Sequence, residues 1–423
     1  MEINYKKRIM DKILKEALEE KGAVLLQGPT WCGKTTTAKQ VAGSVVEMQN
    51  PNQSEQNIKA AINTPSFFLK GDTPRLIDEW QIVPSLWDAI RYEVDVRGQF
   101  GQFILTGSSV PTKRGNDGHS GIGRIKKVTM RTMSLYESGE STGIVSLKTL
   151  FENPTSIAGN SAVDIYQLAF LIVRGGWPLA VGKPERVSLA QARDFYEAIV
   201  DNDIQRLDEN RRDKQRLRML MRSLARNTAS PAKITTIKDD INAHEGRPID
   251  EDTIRDYLNA LDKLFVTEDL LAWSPKLRSK SVLRQSPKRH FVDPSIATAA
   301  LGASPEDLLN DLNTFGLLFE SLCIRDLRIY ADAIDGSVFQ YRDSSNREID
   351  AIIHLRNGDW GAVEIKLGQE EIEKAAANLL QMAARVDGSK SKKPSFLMII
   401  TGTQYAYRRP DGVFIVPIGA LKD

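Results

Sequence analysis

The chain is poor in cysteine and in net charge. Only two of its 423 residues are cysteines, Cys32 and Cys323. Two cysteines exclude a disulfide framework and a cysteine-based zinc site, and they predict a reducing, cytoplasmic environment. Lys and Arg number 57 against 55 Asp and Glu, which gives a net charge of +2. Any nucleic-acid partner must therefore meet a local basic patch, because the whole protein carries no strong field.

Long apolar runs are also missing. The most apolar stretch, residues 169–173, lies between Asp164 and Arg174, far short of the roughly 20 residues that span a bilayer. The first residues lead into a charged amphipathic helix, which predicts no secretory signal. With 41% apolar and 26% charged residues, the composition is typical of a globular protein of two to four domains. We expect no membrane partner.

A complete phosphate-binding loop lies near the start of the chain. A buried strand at residues 23–26 precedes it, and a helix at residues 35–48 is expected to follow. Backbone N–H groups of such a loop surround phosphate oxygens, Lys34 reaches the β and γ phosphates, and the Thr35 hydroxyl binds magnesium. The sequence therefore predicts ATP and Mg²⁺ as ligands, held by Gly28, Pro29, Thr30, Trp31, Cys32, Gly33, Lys34, Thr35 and Thr36.

Polar residues end two further predicted strands. The first, at residues 75–78, ends in Asp78 and is followed by Glu79. We assign Asp78 to the magnesium ion and Glu79 to the general base that activates water. The second strand, at residues 103–105, leads into small hydroxyl residues. Thr106 or Ser108 is a candidate sensor of the γ-phosphate, and an ordinary turn is the alternative.

The order of these motifs resembles that of AAA-type prokaryotic ATPases that carry a C-terminal domain of unknown function. The later segments 135–137, 174–178 and 201–204 are similar to that family as well. One departure from the pattern is Trp80, since an aliphatic residue is more usual before the Gln at position 81, and it leaves the predicted roles of Asp78 and Glu79 unchanged. The resemblance implies that Arg124 is an arginine finger, directed at its own nucleotide or at that of a neighbouring subunit in an oligomer. An ordinary surface arginine is the alternative.

Helices and strands alternate in the first part of the chain, which predicts an α/β fold with a parallel sheet flanked by helices. Beyond it the pattern becomes mostly helical and then changes twice more. We expect four consecutive domains: an ATPase core at residues 1–135, a helical lid at 136–210, a winged-helix-like module at 211–290 and a nuclease-like α/β domain at 291–423.

The third segment has a winged-helix outline. Helices are predicted at residues 213–226, 235–243 and 251–265, followed by strands at 266–273 and 281–284. Six basic residues and no acid lie between positions 270 and 292, which suits a wing on DNA phosphates. The acidic residues 250–252 oppose base recognition by the third helix, so a structural module is the alternative. The basic residues are Lys276, Arg278, Lys280, Arg284, Lys288 and Arg289.

The last segment contains a predicted hairpin around residues 357–358. Asp350, with Glu364 and Lys366, resembles the Asp…Glu-x-Lys signature of the restriction-endonuclease-like fold. There the carboxylates hold a second divalent metal and the lysine steadies the attacking water, and a helix-borne Glu320 would complete the site. A two-residue turn would separate Asp350 from Glu364, whereas a three-residue loop at 357–359 or a bulge would put both on one face. A degenerate site kept for structure or regulation is the alternative.

Together these patterns predict an ATPase whose turnover moves or gates a nuclease-like C-terminal module. A nucleotide switch is the rival interpretation, in which bound ATP or ADP sets the exposure of a binding surface. A small-molecule kinase is a third. The acidic pair Asp78 and Glu79 and the large C-terminal part of the chain argue against it.

Overall fold

The described residues form a five-stranded and a seven-stranded β-sheet, and each of these belongs to a separate unit of the computed structural model. The first unit comprises Met1–Thr132, Asn202–Arg211 and Ala260–Val266, and the second comprises Met133–Asp201, Arg212–Asn259 and Thr267–Asp423. The structure describes residues 5–108, 123–154, 157–204, 207, 212–243, 249–276, 282, 285–343, 345, 347–389 and 391–423.

The first unit contains a five-stranded sheet in the order β2-β3-β4-β1-β5. All four pairs of neighbouring strands are parallel, which confirms the predicted parallel α/β fold. Its strands are β1 Ala23–Gln27, β2 Ser44–Glu47, β3 Arg75–Asp78, β4 Phe103–Gly107 and β5 Ile125–Thr129. Its helices include α1 Ile9–Glu20, α2 Lys34–Lys39, α3 Ser54–Asn63, α4 Pro65–Phe68 and α5 Leu86–Arg97.

The central strands β1 and β4 are buried on both faces, as expected of parallel strands covered by helices, whereas the edge strand β2 is only partly buried. Val24 and Leu26 pack in one core cluster with α1, and Leu25 packs in the other with residues of α5. The predicted helix at residues 35–48 was wrong in its second half. Residues 44–47 include two β-branched valines, which favour a strand, and they pair with β3 instead.

The second unit contains a seven-stranded mixed sheet in the order β7-β12-β13-β11-β10-β9-β8, and β6 pairs with β14 separately. Strands β10, β11 and β13 are parallel, whereas β9 is antiparallel to both β8 and β10. The strands are β6 Val145–Ser146, β7 Ala158–Asn160, β8 Gly336–Arg342, β9 Glu348–Leu355, β10 Trp360–Lys366, β11 Leu397–Thr401, β12 Tyr405–Arg408, β13 Phe414–Pro417 and β14 Leu421–Lys422.

Helices of the second unit pack against this sheet and against one another. The last helix contributes Ile372, Leu379 and Met382 to a core cluster. The sheet contributes Ile352 and Ile399 to the same cluster. The helices are α6 Leu135–Ser138, α7 Leu147–Glu152, α8 Ile165–Arg174, α9 Glu185–Ala198, α10 Lys214–Arg226, α11 Ile234–Asn242, α12 Glu251–Lys263, α13 Pro294–Leu301, α14 Pro305–Asn310, α15 Leu312–Asp332 and α16 Ile372–Arg385. The last turn of α12 belongs to the first unit. None of the helices in the described part of the chain combines the length and apolarity needed to cross a membrane.

The segment interpreted as a lid contributes strands to the second unit. Strand β6 pairs with β14, and β7 pairs with β12 at the edge of the seven-stranded sheet. The contacts therefore group Met133–Asp201 with the C-terminal part of the chain. Such pairing joins residues more than 240 positions apart, and helical periodicity carries no sign of it.

The three helices of the winged-helix outline lie where they were predicted. The strand that follows them pairs with residues 288–291 through Thr267–Phe291 and Leu270–Lys288. Beyond that pair, the Trp273 N–H donates to the Gln340 carbonyl of β8 at 2.8 Å. This strand is thus joined to the edge of the seven-stranded sheet. Most of the predicted second strand, 281–284, lies outside the described residues.

Candidate nucleotide-binding site and carboxylate cluster

The phosphate-binding loop connects the carboxyl end of β1 to α2. Gly28 and Gly33 have φ angles of 151° and 104°, a region of backbone conformation that favours glycine. A Cβ atom at Gly28 would also lie 2.1 Å from the Met130 carbonyl oxygen. The glycines at these two positions are therefore required by the backbone path, independently of any ligand.

Lys34 begins α2, and its side chain is buried. Its ammonium group donates to the carbonyl oxygens of Gly28 at 2.9 Å and Pro29 at 2.8 Å. The positive charge is therefore held against the loop itself. That is the position from which a lysine reaches the β and γ phosphates of a nucleotide.

Asp78 joins the three elements that meet at this edge of the sheet. Its Oδ1 atom accepts hydrogen bonds from the hydroxyls of Thr35 at 2.6 Å and Thr106 at 2.5 Å. The parallel register places Asp78 directly beside Thr106. Hydroxyl and carboxylate oxygens are the ligands that Mg²⁺ prefers, so Thr35 and Asp78 fit the predicted ion. Of the two sensor candidates, Thr106 is the one that contacts Asp78.

Glu79 adopts a left-handed backbone conformation, with φ at 57°. Its N–H donates to the Thr106 hydroxyl at 3.3 Å, and its carboxylate accepts from the Gln81 side-chain amide and, at 3.5 Å, from the Ser108 hydroxyl. Burial raises the pKa of Glu79, although Lys34 and Gln81 oppose the rise. A raised pKa brings a carboxylate closer to the range that suits a general base.

Two contacts of this site were missed by the sequence reasoning. Gln81 holds the Glu79 carboxylate from two positions further along the chain, and its only signal was its place in the motif. Arg8 donates to the carbonyl oxygens of Cys32 and Arg131, both at 2.9 Å. It therefore supports the phosphate-binding loop from a position that no motif marks.

Arg124 lies at the wrong end of the sheet for a role toward its own nucleotide. It precedes β5, whose first residue pairs with Ala23 at the amino end of β1. Strands rise by about 3.3 Å per residue, so roughly 15 Å separates this end from the phosphate-binding loop. Its guanidinium Nε donates to Asp95 at 2.6 Å. The role toward the same nucleotide was therefore wrong, and the role toward a neighbouring subunit stays a prediction.

In the second unit, the hairpin of β9 and β10 brings the predicted signature residues together. The Leu355 N–H donates to the Asp359 carbonyl at 2.8 Å, and Val363 pairs with Ala351. The loop is thus three residues long, 356–358, one position earlier than the loop we considered. Continuing the register places Asp350 opposite Glu364, on the same face.

Lys366 completes this arrangement. Its ammonium group lies 3.1 Å from Oδ2 of Asp350 and 3.0 Å from Oε2 of Glu364. The other oxygen of Glu364 accepts from the side-chain amide of Asn378 on α16 at 2.6 Å. The Ile365 N–H also donates to Oδ2 of Asp350 at 2.8 Å. Asn378 was not anticipated, because it belongs to a helix outside the signature.

A second lysine enters the cluster from the segment predicted to be a wing. The Lys288 ammonium group donates to Oε1 of Glu320 at 2.8 Å and to Oδ1 of Asp350 at 3.5 Å. Burial raises the pKa of Glu320 to about 7 and, with help from Asp350, that of Glu364 to about 8. Burial opposes ionisation of Asp350 too, yet Lys288 and Lys366 together hold its pKa at about 2.

The predicted DNA-contacting role of Lys288 is therefore wrong, because its ammonium group is buried and paired with Glu320 and Asp350. Arg289 pairs with Asp269, and Lys276 is exposed. The other three basic residues, Arg278, Lys280 and Arg284, lie outside the described residues. A count of basic residues does not show which side chains turn inward.

The predicted second metal does not fit the carboxylate cluster as it stands. Both oxygens of Asp350 already face an ammonium group, one from each lysine. Within the described ranges, no group of three or more His, Cys, Asp and Glu side chains is arranged to hold a metal ion. The cluster of Glu320, Asp350 and Glu364 is thus an ion-pair network with Lys288 and Lys366.

Three family models match segments of the chain. The model described as AAA domain matches residues 20–139, and two models described as domains of unknown function, DUF8612 and DUF4143, match residues 165–307 and 315–421. The first match supports the prediction of a P-loop AAA-type domain in this part of the chain. The third agrees with the predicted combination of such a domain with a C-terminal domain of unknown function.

Curated relatives and solved structures show further similarity. The uncharacterized proteins Mb2031c of Mycobacterium bovis and Rv2008c of Mycobacterium tuberculosis are each 25% identical over 362 residues, which cover 84% of this chain and 72% of theirs. The Walker-type ATPase PABY2304 of Pyrococcus abyssi is 16% identical over 71% of this chain and 97% of its own, with a TM-score of 0.44. The Aeropyrum pernix ORC1 protein, solved in complex with DNA, is 13% identical over 70% of this chain and 90% of its own, with a TM-score of 0.27.

Proposed function

We propose that the first unit binds and hydrolyses ATP. The observation that carries this proposal is the hydrogen-bonded set in which Asp78 accepts from Thr35 and Thr106, with Lys34 and Glu79 beside it. A P-loop ATPase needs these functions at the carboxyl edge of a parallel sheet, and the AAA-domain match covers all five residues.

Each of these side chains has a separate task in the proposed reaction. Lys34 binds the phosphates, and Thr35 and Asp78 would hold the magnesium ion. When bound, Mg²⁺ neutralises charge that develops on the phosphates. Glu79 orients and deprotonates the attacking water, and the amide of Gln81 fixes the direction of its carboxylate. Thr106 holds Asp78 in place from the neighbouring strand.

The second unit is proposed to have a nuclease-like fold. A helix, three antiparallel strands, a second helix and a parallel strand follow one another from Leu312 to Thr401. The signature residues Asp350, Glu364 and Lys366 lie together on this framework, which supports the resemblance. DNA contact through residues 276–289 stays a prediction, as do the four domain boundaries.

The state of the carboxylate cluster favours the rival interpretation for this unit. Its charges are paired internally, and both oxygens of Asp350 are engaged by ammonium groups. A unit in this state acts by binding a partner and not by cutting a phosphodiester. Nucleotide turnover in the first unit would then drive or reset that binding, as in a switch.

Two substitutions test the hydrolysis proposal. Lys34→Ala should weaken nucleotide binding, measured by titration with a fluorescent ATP analogue. Glu79→Gln should keep binding and lose hydrolysis by roughly 10²-fold or more, because the amide cannot accept the water proton. Matched controls are Lys59→Ala and Glu55→Gln, which alter an exposed ion pair on α3.

Turnover should be measured with and without DNA. Sustained hydrolysis that DNA stimulates favours a motor, and slow hydrolysis that DNA does not change favours a switch. Equal rates for Glu79→Gln and the parent would remove Glu79 from the role of base. Undetectable turnover in the parent, with tight nucleotide binding, would contradict the hydrolase proposal altogether.

A further inference from the structure

The carboxylate cluster of the second unit contains one lysine too many for the signature it resembles. Lys366 is part of that signature, whereas Lys288 comes from a different stretch of the chain. Only 4% of the Lys288 side chain is exposed, and its ammonium group lies between Glu320 and Asp350. A buried charge of this kind is stable only when it is paired and hydrogen-bonded.

Lys288 is held in this position by its backbone as well as by its charge. Its N–H donates to the Leu270 carbonyl at 3.0 Å, and its own carbonyl accepts from the Leu270 N–H at 2.9 Å. The next residue, Arg289, exchanges backbone hydrogen bonds with Ala229 and Ser230 at 2.8 and 2.9 Å. The strand is therefore anchored on both sides of the lysine, and the ammonium group is a fixed part of the cluster.

A divalent metal and this ammonium group compete for the same oxygens. A hard cation such as Mg²⁺ needs carboxylate oxygens within about 2.0–2.6 Å. Oδ1 of Asp350 and Oε1 of Glu320 both face Lys288. Lys366 already occupies Oδ2 of Asp350. A metal would therefore meet two positive charges at close range.

We propose that Lys288 is a built-in counter-ion that takes the place of a divalent metal in the carboxylate cluster and keeps the wild-type protein from binding one there. This inference rests on the nuclease-like proposal for the second unit, and it is independent of ATP hydrolysis. Lys288 lies within the segment matched by DUF8612, whereas Glu320, Asp350, Glu364 and Lys366 lie within the DUF4143 match. A lysine of the segment 165–307 thus blocks metal binding by the signature residues of the segment 315–421.

The test is a Mn²⁺ titration, by calorimetry and by electron paramagnetic resonance, on the full-length protein without nucleotide. An Asp78→Asn background removes the metal ligand of the first unit, so that binding reports on the second unit. Lys288→Met keeps the length of the side chain and removes its charge. Lys276→Met is the matched control, since Lys276 is exposed in the same segment.

The parent and Lys276→Met should bind no Mn²⁺ below about 1 mM. Lys288→Met should bind one equivalent at least tenfold more tightly, and adding Asp350→Asn should abolish that binding. If Lys288→Met does not fold, as judged by circular dichroism, the double variant Lys288→Met/Glu320→Gln removes one charge of each sign and should still gain Asp350-dependent binding, weaker by the loss of one carboxylate. Asp350-dependent binding by the parent would overturn the proposal, and so would a folded Lys288 variant that binds no Mn²⁺. Neither result depends on whether the first unit hydrolyses ATP.

Discussion

Thr106 is the side chain on which the geometry of the nucleotide site depends most directly. Its hydroxyl donates to Asp78 at 2.5 Å and accepts from the Glu79 N–H at 3.3 Å. Thr106 is completely buried at the end of β4, so water cannot replace either bond. Thr106→Val keeps nearly the same shape and removes only the hydroxyl.

The size of the effect follows from the groups that lose a partner. A hydrogen bond to a charged group contributes about 1.5–3 kcal/mol, and each 1.4 kcal/mol in the activation free energy changes a rate tenfold. We therefore expect Thr106→Val to lower kcat for ATP hydrolysis by roughly 10- to 150-fold. Nucleotide affinity should change much less, because Lys34 and the loop glycines are untouched.

The assay is steady-state phosphate release, with a fluorescent ATP analogue to measure binding. Thr129→Val is the matched control, since its hydroxyl accepts from Gln27 at 3.3 Å at the end of β5 in the same sheet. It should change kcat less than twofold. Ser108→Ala separates the two sensor candidates and should have the smaller effect, because Ser108 reaches Glu79 only at 3.5 Å. Normal hydrolysis by a folded Thr106→Val variant would refute this account of the site.

Two further predictions concern the stability of the second unit, each followed by urea denaturation. Trp177 is fully buried, its ring centroid lies 4.1 Å from that of Phe195, and its indole N–H donates to the Ser295 hydroxyl at 3.0 Å. Trp177→Ala should therefore lower the free energy of unfolding by about 3–5 kcal/mol. A loss below about 1 kcal/mol would contradict this packing. Burial lowers the pKa of His290 well below 6.5, and the charges of Arg328 and Lys288 lower it further while Glu268 opposes them. Below pH 6.5 the unfolded chain therefore binds a proton at His290 that the folded chain does not bind. The free energy of unfolding then falls by at most about 1.4 kcal/mol for each pH unit. Between pH 7.5 and 5.5 the His290→Asn variant should lose about 1 kcal/mol less stability than the parent, and equal losses would show that His290 is protonated in the folded state.

The sequence alone determined the features that depend on neighbouring residues. The loop from Gly28 to Thr35, the strand ends at Asp78 and Thr106 and the helices of residues 214–263 lie where local patterns predicted them. A tight loop needs glycine at particular positions, and a buried strand needs an apolar run, so these elements are visible in a short window of sequence. The parallel order of the first sheet also followed from the alternation of helices and strands.

The tertiary structure decided which distant residues meet. The helix expected through residue 48 gives way to β2 because an adjacent strand offers pairing. Arg124 lies at the far edge of its sheet because strand direction, and not position in the motif order, sets which end a residue occupies. Lys288 belongs to a basic segment of the sequence, yet its side chain lies beside Glu320 and Asp350 because its backbone pairs with Leu270. Each of these outcomes depends on contacts between residues that are far apart in the sequence. Such contacts decide which side chains are buried, and a short window of sequence does not contain the residues that make them.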